Sequence, residues 1–332
     1  MSGVAMYWYY KGMMALVTIH GVLIIIYRLP SISYTSETTT ILYDGYHLPP
    51  QNYSMTHLEK GVLGYANHTH VIIISGFRSG SSLFGDILNR DDEVFFAYEP
   101  LHDMDDMLVN EMTSNEAAEF VTQVSERVLG CEFTRLSEDH FNHLATKRFL
   151  GNRKLECEDG SGEGSLCFDV GHISKRCQQL PIHVIKYVRV TLDQVAHLMD
   201  KYSNVKVIWM YRDPRAVWNR RIRYDWCHPV MCRNPSIMCD DSNKNLVLSK
   251  HLLLTNPEQF TTLKFEDITR NPQMEFLRVV RFINMKPNQV LETVGKEYFT
   301  PETNGWQENL PYLEREMIEQ KCASSIAGLG YE

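Results

Sequence analysis

The chain has 332 residues, of which 44% are hydrophobic and 22% are charged, and this is enough for one globular domain with a sizeable core plus an appendage. Its formal net charge of −8 argues against the basic surface of nucleic-acid-binding proteins, so we expect no nucleic-acid partner. A net negative charge still allows a small anionic ligand, because a few local arginines decide whether such a ligand binds.

An apolar segment near the amino terminus predicts a membrane anchor. Residues 13–27 are apolar except for Thr18, His20 and Gly21, and the aromatic residues 7–10 extend this segment. A helix of about 20 residues spans the core of a bilayer. A cleaved signal peptide and a buried core helix are the alternatives, but no small-x-small cleavage site follows the segment. We therefore predict a short cytoplasmic tail at 1–12 and a signal-anchor transmembrane helix at 7–28.

The cysteine content indicates an oxidising compartment. The count is even, and in a chain with a membrane signal this predicts disulfide bonds among Cys131, Cys157, Cys167, Cys177, Cys227, Cys232, Cys239 and Cys322. Proximity in sequence favours a bond between Cys157 and Cys167, and another within the group 227, 232 and 239. Zinc binding is the weaker alternative, because no two cysteines have C-x2-C spacing.

Residues 29–69 are rich in Ser, Thr, Tyr, Pro and Asn without a sustained period, which predicts a stem. Two N-glycosylation triplets lie within it, Asn52-Tyr53-Ser54 and Asn67-His68-Thr69. Together with the cysteines they favour a single-pass type II protein whose main domain, at 70–331, is lumenal.

Predicted strands and helices alternate along that domain. β-Branched apolar segments bounded by turn residues predict strands at 70–75, 94–98, 183–188, 205–211 and 262–265. Helices are predicted at 81–89, 116–128, 192–202, 272–283 and 311–326, and a further helix begins at Asp213, an N-cap followed by Pro214. This alternation predicts an α/β fold, a parallel sheet with helices on both faces.

The loop after the first strand has the residue types of an anion-binding site. Glycine and serine residues leave backbone N–H groups accessible at the start of a helix, whose positive end attracts anions. Arg78 adds a permanent planar cation. We predict that the ligand binds Phe77, Arg78, Ser79, Gly80, Ser81, Ser82 and Leu83. No lysine follows Gly80, so this is not a Walker loop; a plain Ser/Gly turn is the alternative.

A second basic element follows the fourth strand. Arg212 ends this strand, and Arg220 lies two helical turns later, so both can reach one face. The carboxyl ends of parallel strands meet at one edge, where ligands bind. We therefore expect Arg78 and Arg212 to converge on one ligand with phosphate at both ends. For Arg221 and Arg223, a solvated helix face is an equal alternative.

These motifs resemble those of the Golgi carbohydrate sulfotransferases, the galactose/N-acetylglucosamine/N-acetylgalactosamine 6-O-sulfotransferase family. The resemblance covers about residues 70–331 and rests on Arg78-Ser79-Gly80-Ser81-Ser82 and Arg212-Asp213-Pro214-Arg215-Ala216-Val217. It continues in Tyr98-Glu99-Pro100-Leu101, Ile185-Lys186, Phe265-Glu266-Asp267-Ile268 and Leu329-Gly330-Tyr331. Where the family has a serine eight residues after the first arginine of the second element, this chain has Arg220.

The resemblance implies a P-loop-like fold, that of sulfotransferases dependent on 3′-phosphoadenosine 5′-phosphosulfate (PAPS). It further implies PAPS as the sulfuryl donor, no required metal, and a Golgi membrane location. The implied acceptor is a glycan or glycosaminoglycan hydroxyl, on C6 of GlcNAc, GalNAc or galactose.

In-line sulfuryl transfer develops charge on the leaving phosphate, which Arg78 would stabilise, as cations do in phosphoryl transfer. The acceptor hydroxyl needs a base. Glu99, at the end of the second strand, is the predicted general base and His102 the reserve. The alternative for Glu99 is a structural carboxylate that pairs with an arginine. Glu266 and Asp267 are predicted to be structural or to orient the site.

Two other functions compete with this prediction. Asp103-Met104-Asp105 matches the D-x-D signature of a metal-dependent Golgi glycosyltransferase, although it leaves both arginine elements unexplained. The second alternative is a catalytically degenerate family member. Such a protein would bind 3′-phosphoadenosine 5′-phosphate (PAP), which is PAPS without its sulfuryl group, or a glycan, without turnover. Arg220 is the reason for this alternative, because it departs from the family pattern.

Overall fold

A computed structural model describes residues 15–19, 22–26, 60–103, 114–149, 152–157, 166–227, 232–286 and 305–331. The chain divides into two compact units, Met1–His57 and Leu58–Glu332. In the first unit, strands β1 (Ala15–Ile19) and β2 (Val22–Ile26) pair antiparallel. Their Val, Ile and Thr residues are β-branched, and such residues favour strands.

The structure thus describes strands within the segment for which we predicted a transmembrane helix. Among the described helices, none combines the length and the apolar character that crossing a bilayer requires. The anchor at 7–28 stays a prediction, and the tail at 1–12 lies outside the described residues. Most of the stem at 29–69 also lies outside them, including Asn52, whereas Asn67 is described and exposed.

The second unit contains five strands and twelve helices among its described residues. The strands are β3 (Thr69–Ser75), β4 (Val94–Tyr98), β5 (Ile182–Tyr187), β6 (Val205–Tyr211) and β7 (Phe260–Lys264). The first six helices are α1 (Ser81–Leu88), α2 (Ser114–Leu129), α3 (Glu138–Leu144), α4 (Val170–Gln179), α5 (Ala196–Lys201) and α6 (Pro214–Arg221). The others are α7 (Pro235–Thr255), α8 (Phe265–Arg270), α9 (Pro272–Phe282), α10 (Gly305–Asn309), α11 (Tyr312–Lys321) and α12 (Ala323–Gly328).

The five strands form one parallel sheet in the order β4-β5-β3-β6-β7. Alternate side chains of the central strand β3 enter different cores: Ile72 and Ile74 pack on one face, Val71 and Ile73 on the other. This is the period of two expected of a strand that is buried on both faces. The predicted parallel α/β sheet is confirmed.

Strand order determines where a ligand can bind. After β3 the chain moves to β4 on one side of the sheet, and after β6 it moves to β7 on the other side. Strands β3 and β6 are neighbours, and Ser75 is paired with Met210 at their carboxyl ends. Connections that leave adjacent strands in opposite directions open a crevice at that edge. The loops that carry Arg78 and Arg212 therefore begin side by side.

All eight cysteines form disulfide bonds, namely Cys131–Cys177, Cys157–Cys167, Cys227–Cys232 and Cys239–Cys322. The bond predicted between Cys157 and Cys167 is present, and so is one within the group 227, 232 and 239. Cys131 and Cys177 lie close to His183 in an arrangement that could bind a metal if the thiols were free. In the structure the disulfide occupies both sulfurs.

Several elements differ from the sequence-based expectation. The predicted helix at 192–202 begins as a 3-10 turn, Leu192–Gln194, before α5. The predicted helix at 311–326 is divided at Cys322 into α11 and α12. Helix α7 lies in a region for which we predicted no helix, although Asn234 caps it and Pro235 begins it. Those two residues are an ordinary helix-start signal.

Candidate active site

The loop after β3 presents backbone donors at the start of α1. Arg78 and Gly80 have positive φ angles of 68° and 92°. No described side chain caps the amino end of α1 at Gly80. The first N–H groups of a helix have no partner within it, so this end has donors available for an anion. A non-glycine residue in the left-handed region costs energy and is common at functional sites, and Arg78 is such a residue.

Arg78 is held by an aromatic side chain. Its Nη2 donates a hydrogen bond of 2.9 Å to the hydroxyl of Tyr224, and its guanidinium carbon lies 4.3 Å from the centre of the Tyr224 ring. Its Nε is buried and, among the described residues, has no hydrogen-bond partner. A buried donor of this kind usually has a partner. Arg78 is thus oriented, and its Nε is among the donors that remain for a ligand.

Two further arginines contact this loop at Phe77, one through the backbone carbonyl and the other through the ring. Arg221 is buried, and it donates to the carbonyl oxygens of Phe77 at 3.2 Å and of Cys232 at 2.9 Å. The guanidinium of Arg189 lies 4.7 Å from the centre of the Phe77 ring. The solvated-face alternative for Arg221 is therefore wrong, because this side chain connects α6 to the loop.

The side chain of Phe265 lies between the loop and Arg212. The guanidinium of Arg212 is 4.1 Å from the centre of the Phe265 ring. A Cβ atom added to Gly80 would lie 2.4 Å from the same ring. The predicted proximity of the two loops is therefore supported by a shared contact, and the close approach explains why residue 80 has no side chain.

A cavity of about 220 Å³ lies beside α6, and its lining is rich in arginine: Arg212, Ala216, Asn219, Arg220, Arg223, Gly305, Trp306 and Asn309. Three permanent cations on one small cavity repel each other, and a phosphate would relieve that repulsion. The structure thus places Arg212 and Arg220 together, as the helical spacing predicted. It adds Arg223, whose Nη2 donates to Asn219 Oδ1 at 2.9 Å and to the Asn309 carbonyl at 3.1 Å.

Residues next to Arg212 are structural. Arg215 is buried and forms two hydrogen bonds with the carboxylate of Asp213, at 3.1 and 3.0 Å. Glu266 accepts a hydrogen bond from the Asp213 N–H at 3.1 Å and another from the Tyr331 hydroxyl at 2.6 Å. Glu266 therefore supports the turn after β6, which agrees with the structural role predicted for it.

Glu99 lies at the end of β4, and it is bound by two cations. One carboxylate oxygen contacts the ammonium of Lys186 and the other lies 2.8 Å from Arg189 Nη1. Lys186 is only 1% exposed, and its Nζ also donates to the hydroxyl of Ser82 at 3.2 Å. Glu99 has a positive φ of 47°, like Arg78 at the end of β3. Through Lys186 and Ser82, the arrangement links Glu99 to residues 77–83, the loop after β3 and the start of α1, which we call the donor loop.

Opposing effects act on the Glu99 carboxyl. Burial raises its pKa, but the charges and hydrogen bonds of Lys186 and Arg189 lower it more, so the net pKa is below its usual 4.5. Burial lowers the pKa of Lys186, although Glu99 opposes this shift. The carboxylate is consequently ionised at neutral pH. The structural ion pair that was the alternative for Glu99 is present, with a lysine as well as an arginine.

His102 lies in a group of histidines close to Glu99. Its ring stacks on His143 with centroids 3.8 Å apart and an angle of 2° between the planes. Among the described residues, His102 Nδ1 and His143 Nε2 have no hydrogen-bond partner. Burial lowers the pKa of both histidines, to about 4 for His143. Asp103 accepts a hydrogen bond from His140, whereas Met104 and Asp105 of the D-x-D signature lie outside the described residues.

Sequence reasoning identified the loop and the first arginine of each basic element, but it missed the side chains that hold them in place. Lys186, which the sequence analysis named only as part of a motif, is a buried partner of Glu99. Tyr224 and Trp306 were not predicted at all. A lysine within an otherwise apolar strand is a signal that could have identified Lys186, because a lysine is seldom fully buried unless it is paired.

Comparison with known proteins indicates the family to which the chain belongs. A family model described as "Sulfotransferase family" matches residues 70–288. Human carbohydrate sulfotransferase 5 is 23% identical over 334 residues, which cover 81% of this chain and 79% of that protein. Danio rerio carbohydrate sulfotransferase 1 is 24% identical, over 65% of this chain and 62% of that protein. The sulfotransferase domain of the Synechococcus PCC 7002 olefin synthase superposes with a TM-score of 0.49 at 14% identity, over 82% of this chain and 99% of that one.

The chain belongs to the sulfotransferase family, because the family model matches more than half of it. The enzyme class that the resemblance implied is confirmed, and the glycosyltransferase alternative is contradicted.

We expect Gly80→Ala to lower the free energy of unfolding by about 2–4 kcal/mol, because an L-residue at this φ is strained and its Cβ would overlap the Phe265 ring. Urea denaturation with the disulfides intact measures this change. Gly61→Ala is the matched control, because its Cβ would lie 3.4 Å from the nearest atom, Lys201 O, at an ordinary φ. Equal stability of the two variants would contradict the proposed close contact.

Proposed function

We propose that this sulfotransferase transfers a sulfuryl group from PAPS to a hydroxyl on C6 of GlcNAc, GalNAc or galactose in a glycan or glycosaminoglycan. The observation that carries the proposal is the pair of arginine-bearing loops that begin side by side after β3 and β6. A nucleotide with phosphate at both ends fits two such cationic regions. The curated relatives are carbohydrate sulfotransferases, which supports a sugar acceptor.

The loop after β3 would hold the 5′-phosphosulfate end of the donor. Arg78 and the first N–H groups of α1 are placed to stabilise the charge that develops on the leaving phosphate. Residues Phe77 to Leu83 would surround this end of the donor and form the 5′-phosphosulfate site. Because these groups supply fixed positive charge, the proposed reaction needs no metal ion. The cavity with Arg212 and Arg220 would hold the 3′-phosphate, and Arg220 would replace a hydroxyl contact by a charged one.

Glu99 would act as the general base. In the reaction, the bond between sulfur and the bridging oxygen of the 5′-phosphate breaks, and a bond from sulfur to the acceptor oxygen forms. The proton of the acceptor hydroxyl passes to the Glu99 carboxylate. Its two ion pairs weaken it as a base, but they also fix its position beside the donor loop. His102 is the second candidate, since burial favours its neutral form.

A Golgi location with a type II membrane anchor remains part of the proposal. It is supported by the apolar residues 7–27 and by four disulfides, which need an oxidising compartment. We expect the full chain to stay in the membrane pellet after alkaline carbonate extraction, and its catalytic unit to resist protease added to intact microsomes. Release into the supernatant would contradict the anchor.

Incubation of the full chain with radiolabelled PAPS and a glycan panel, followed by linkage analysis, tests the proposed reaction. We expect labelled sulfate at C6 of a hexose or hexosamine. Arg78→Ala should lower kcat/KM by at least about a hundredfold, because it removes a charge that stabilises the transition state. It should also weaken PAP binding in calorimetry. PAP binding without transfer to any glycan would favour the catalytically degenerate alternative. Unchanged PAP affinity of Arg78→Ala would contradict the proposed 5′-phosphosulfate site.

We expect Glu99→Gln to lower kcat at least about a hundredfold with nearly unchanged PAP affinity, because the amide cannot accept the proton. The pH profile provides a second measurement. A base must be deprotonated, so with Glu99 in this role the wild-type rate falls only below pH 4.5, where its lowered pKa lies. His102→Asn is the matched control and should keep both rate and profile. Near-normal turnover of Glu99→Gln with a large loss in His102→Asn would assign the role to His102.

A further inference from the structure

An aromatic side chain is exposed beside the donor loop. Trp226 is 56% exposed, although tryptophan is usually well buried. Its ring centre lies 6.2 Å from that of Phe77 and 5.7 Å from that of Tyr224. Single exposed apolar residues are normal on protein surfaces. Trp226 differs from them because it continues an aromatic group that begins in the donor loop.

The neighbours of Trp226 keep it in place. The guanidinium groups of Arg189 and Arg221 lie 4.7 and 5.5 Å from the centre of the Phe77 ring. The next residue after Trp226 is Cys227, which forms a disulfide with Cys232, and Arg221 donates to the Cys232 carbonyl. The indole is therefore next to a cysteine whose disulfide partner is joined, through Arg221, to the backbone of the donor loop at Phe77. A rigid side chain loses little conformational entropy when it binds.

The same aromatic group is in direct contact with Arg78. Tyr224, whose ring neighbours Trp226, accepts the hydrogen bond from Arg78 Nη2. The indole is thus one side chain away from the arginine that we assign to the leaving phosphate. Through Phe77, the other neighbour of Trp226, the group reaches the proposed base: Arg189 lies 4.7 Å from the centre of the Phe77 ring and donates to Glu99 at 2.8 Å. Residues near the proposed base are placed to position an acceptor.

We propose that Trp226, together with Tyr224, binds a pyranose ring of the acceptor glycan; this inference rests on the proposed function. A pyranose has a face of C–H groups, and the negative face of an indole attracts the positive edge that such groups present. Sugar hydroxyls at the rim of the ring stay in water or bond to polar neighbours. Asp225, which is exposed and directly precedes Trp226 in the chain, offers a carboxyl group to such hydroxyls.

Steady-state kinetics with N-acetyllactosamine and with a chondroitin hexasaccharide tests the inference. We expect Trp226→Ala to raise the KM of the accepted glycan about tenfold, the loss typical of one aromatic contact, with kcat and the KM for PAPS nearly unchanged. Trp226→Phe should recover most of the affinity, because a purely aromatic surface remains. Tyr312→Ala is the matched control, since Tyr312 is 69% exposed on α11 and should leave every parameter unchanged.

Tryptophan fluorescence gives an independent measurement of glycan binding in the presence of PAP. The wild-type signal should change on titration with the accepted glycan, and Trp226→Phe should remove that change. Sulfate transfer with equal acceptor KM in Trp226→Ala and the wild type overturns this inference and leaves the proposed function intact. Absence of both transfer and glycan binding in the wild type overturns both.

Discussion

Pairing of β3 with β6 is the constraint on which the site depends. These strands are neighbours in the sheet although more than a hundred residues separate them, and the chain leaves them in opposite directions. Parallel strands must end at the same edge, so two loops that are distant in sequence begin within one strand spacing of each other. The ring of Phe265, in contact with both Gly80 and Arg212, then sets the distance between them.

Buried cations hold the loops in place. Arg221 is bonded to two backbone carbonyls, and Lys186 is bonded to Glu99 and Ser82. A buried charge is costly unless it is paired and hydrogen-bonded. Each of these side chains therefore tolerates little displacement, and the backbone that it contacts is fixed with it. In this way the interior of the protein fixes the positions of Arg78 and Glu99, whose left-handed backbone conformations require support from their surroundings.

The sequence allowed prediction of the strands, the Gly/Ser loop and the common sheet edge of the loops that carry Arg78 and Arg212, because these follow from local periodicity and from the geometry of a parallel sheet. It did not allow prediction of the Glu99–Lys186 pair, which depends on the registers of β4 and β5. The contact between Arg78 and Tyr224 also escaped prediction, since it joins residues 146 positions apart. Helix α7 was missed for a different reason: its Asn-Pro start signal was present but was not used.

A single side chain connects the two halves of the proposed reaction. Tyr224 contacts Arg78, on the leaving-phosphate side, and Trp226, on the proposed acceptor side. A movement of the aromatic group would therefore change the position of Arg78. Because a displacement of about 1 Å can cost two orders of magnitude in rate, a rigid turn here benefits catalysis as well as binding. The Cys227–Cys232 disulfide, directly after Trp226, contributes to that rigidity, because residues 222–227 belong to no helix or strand.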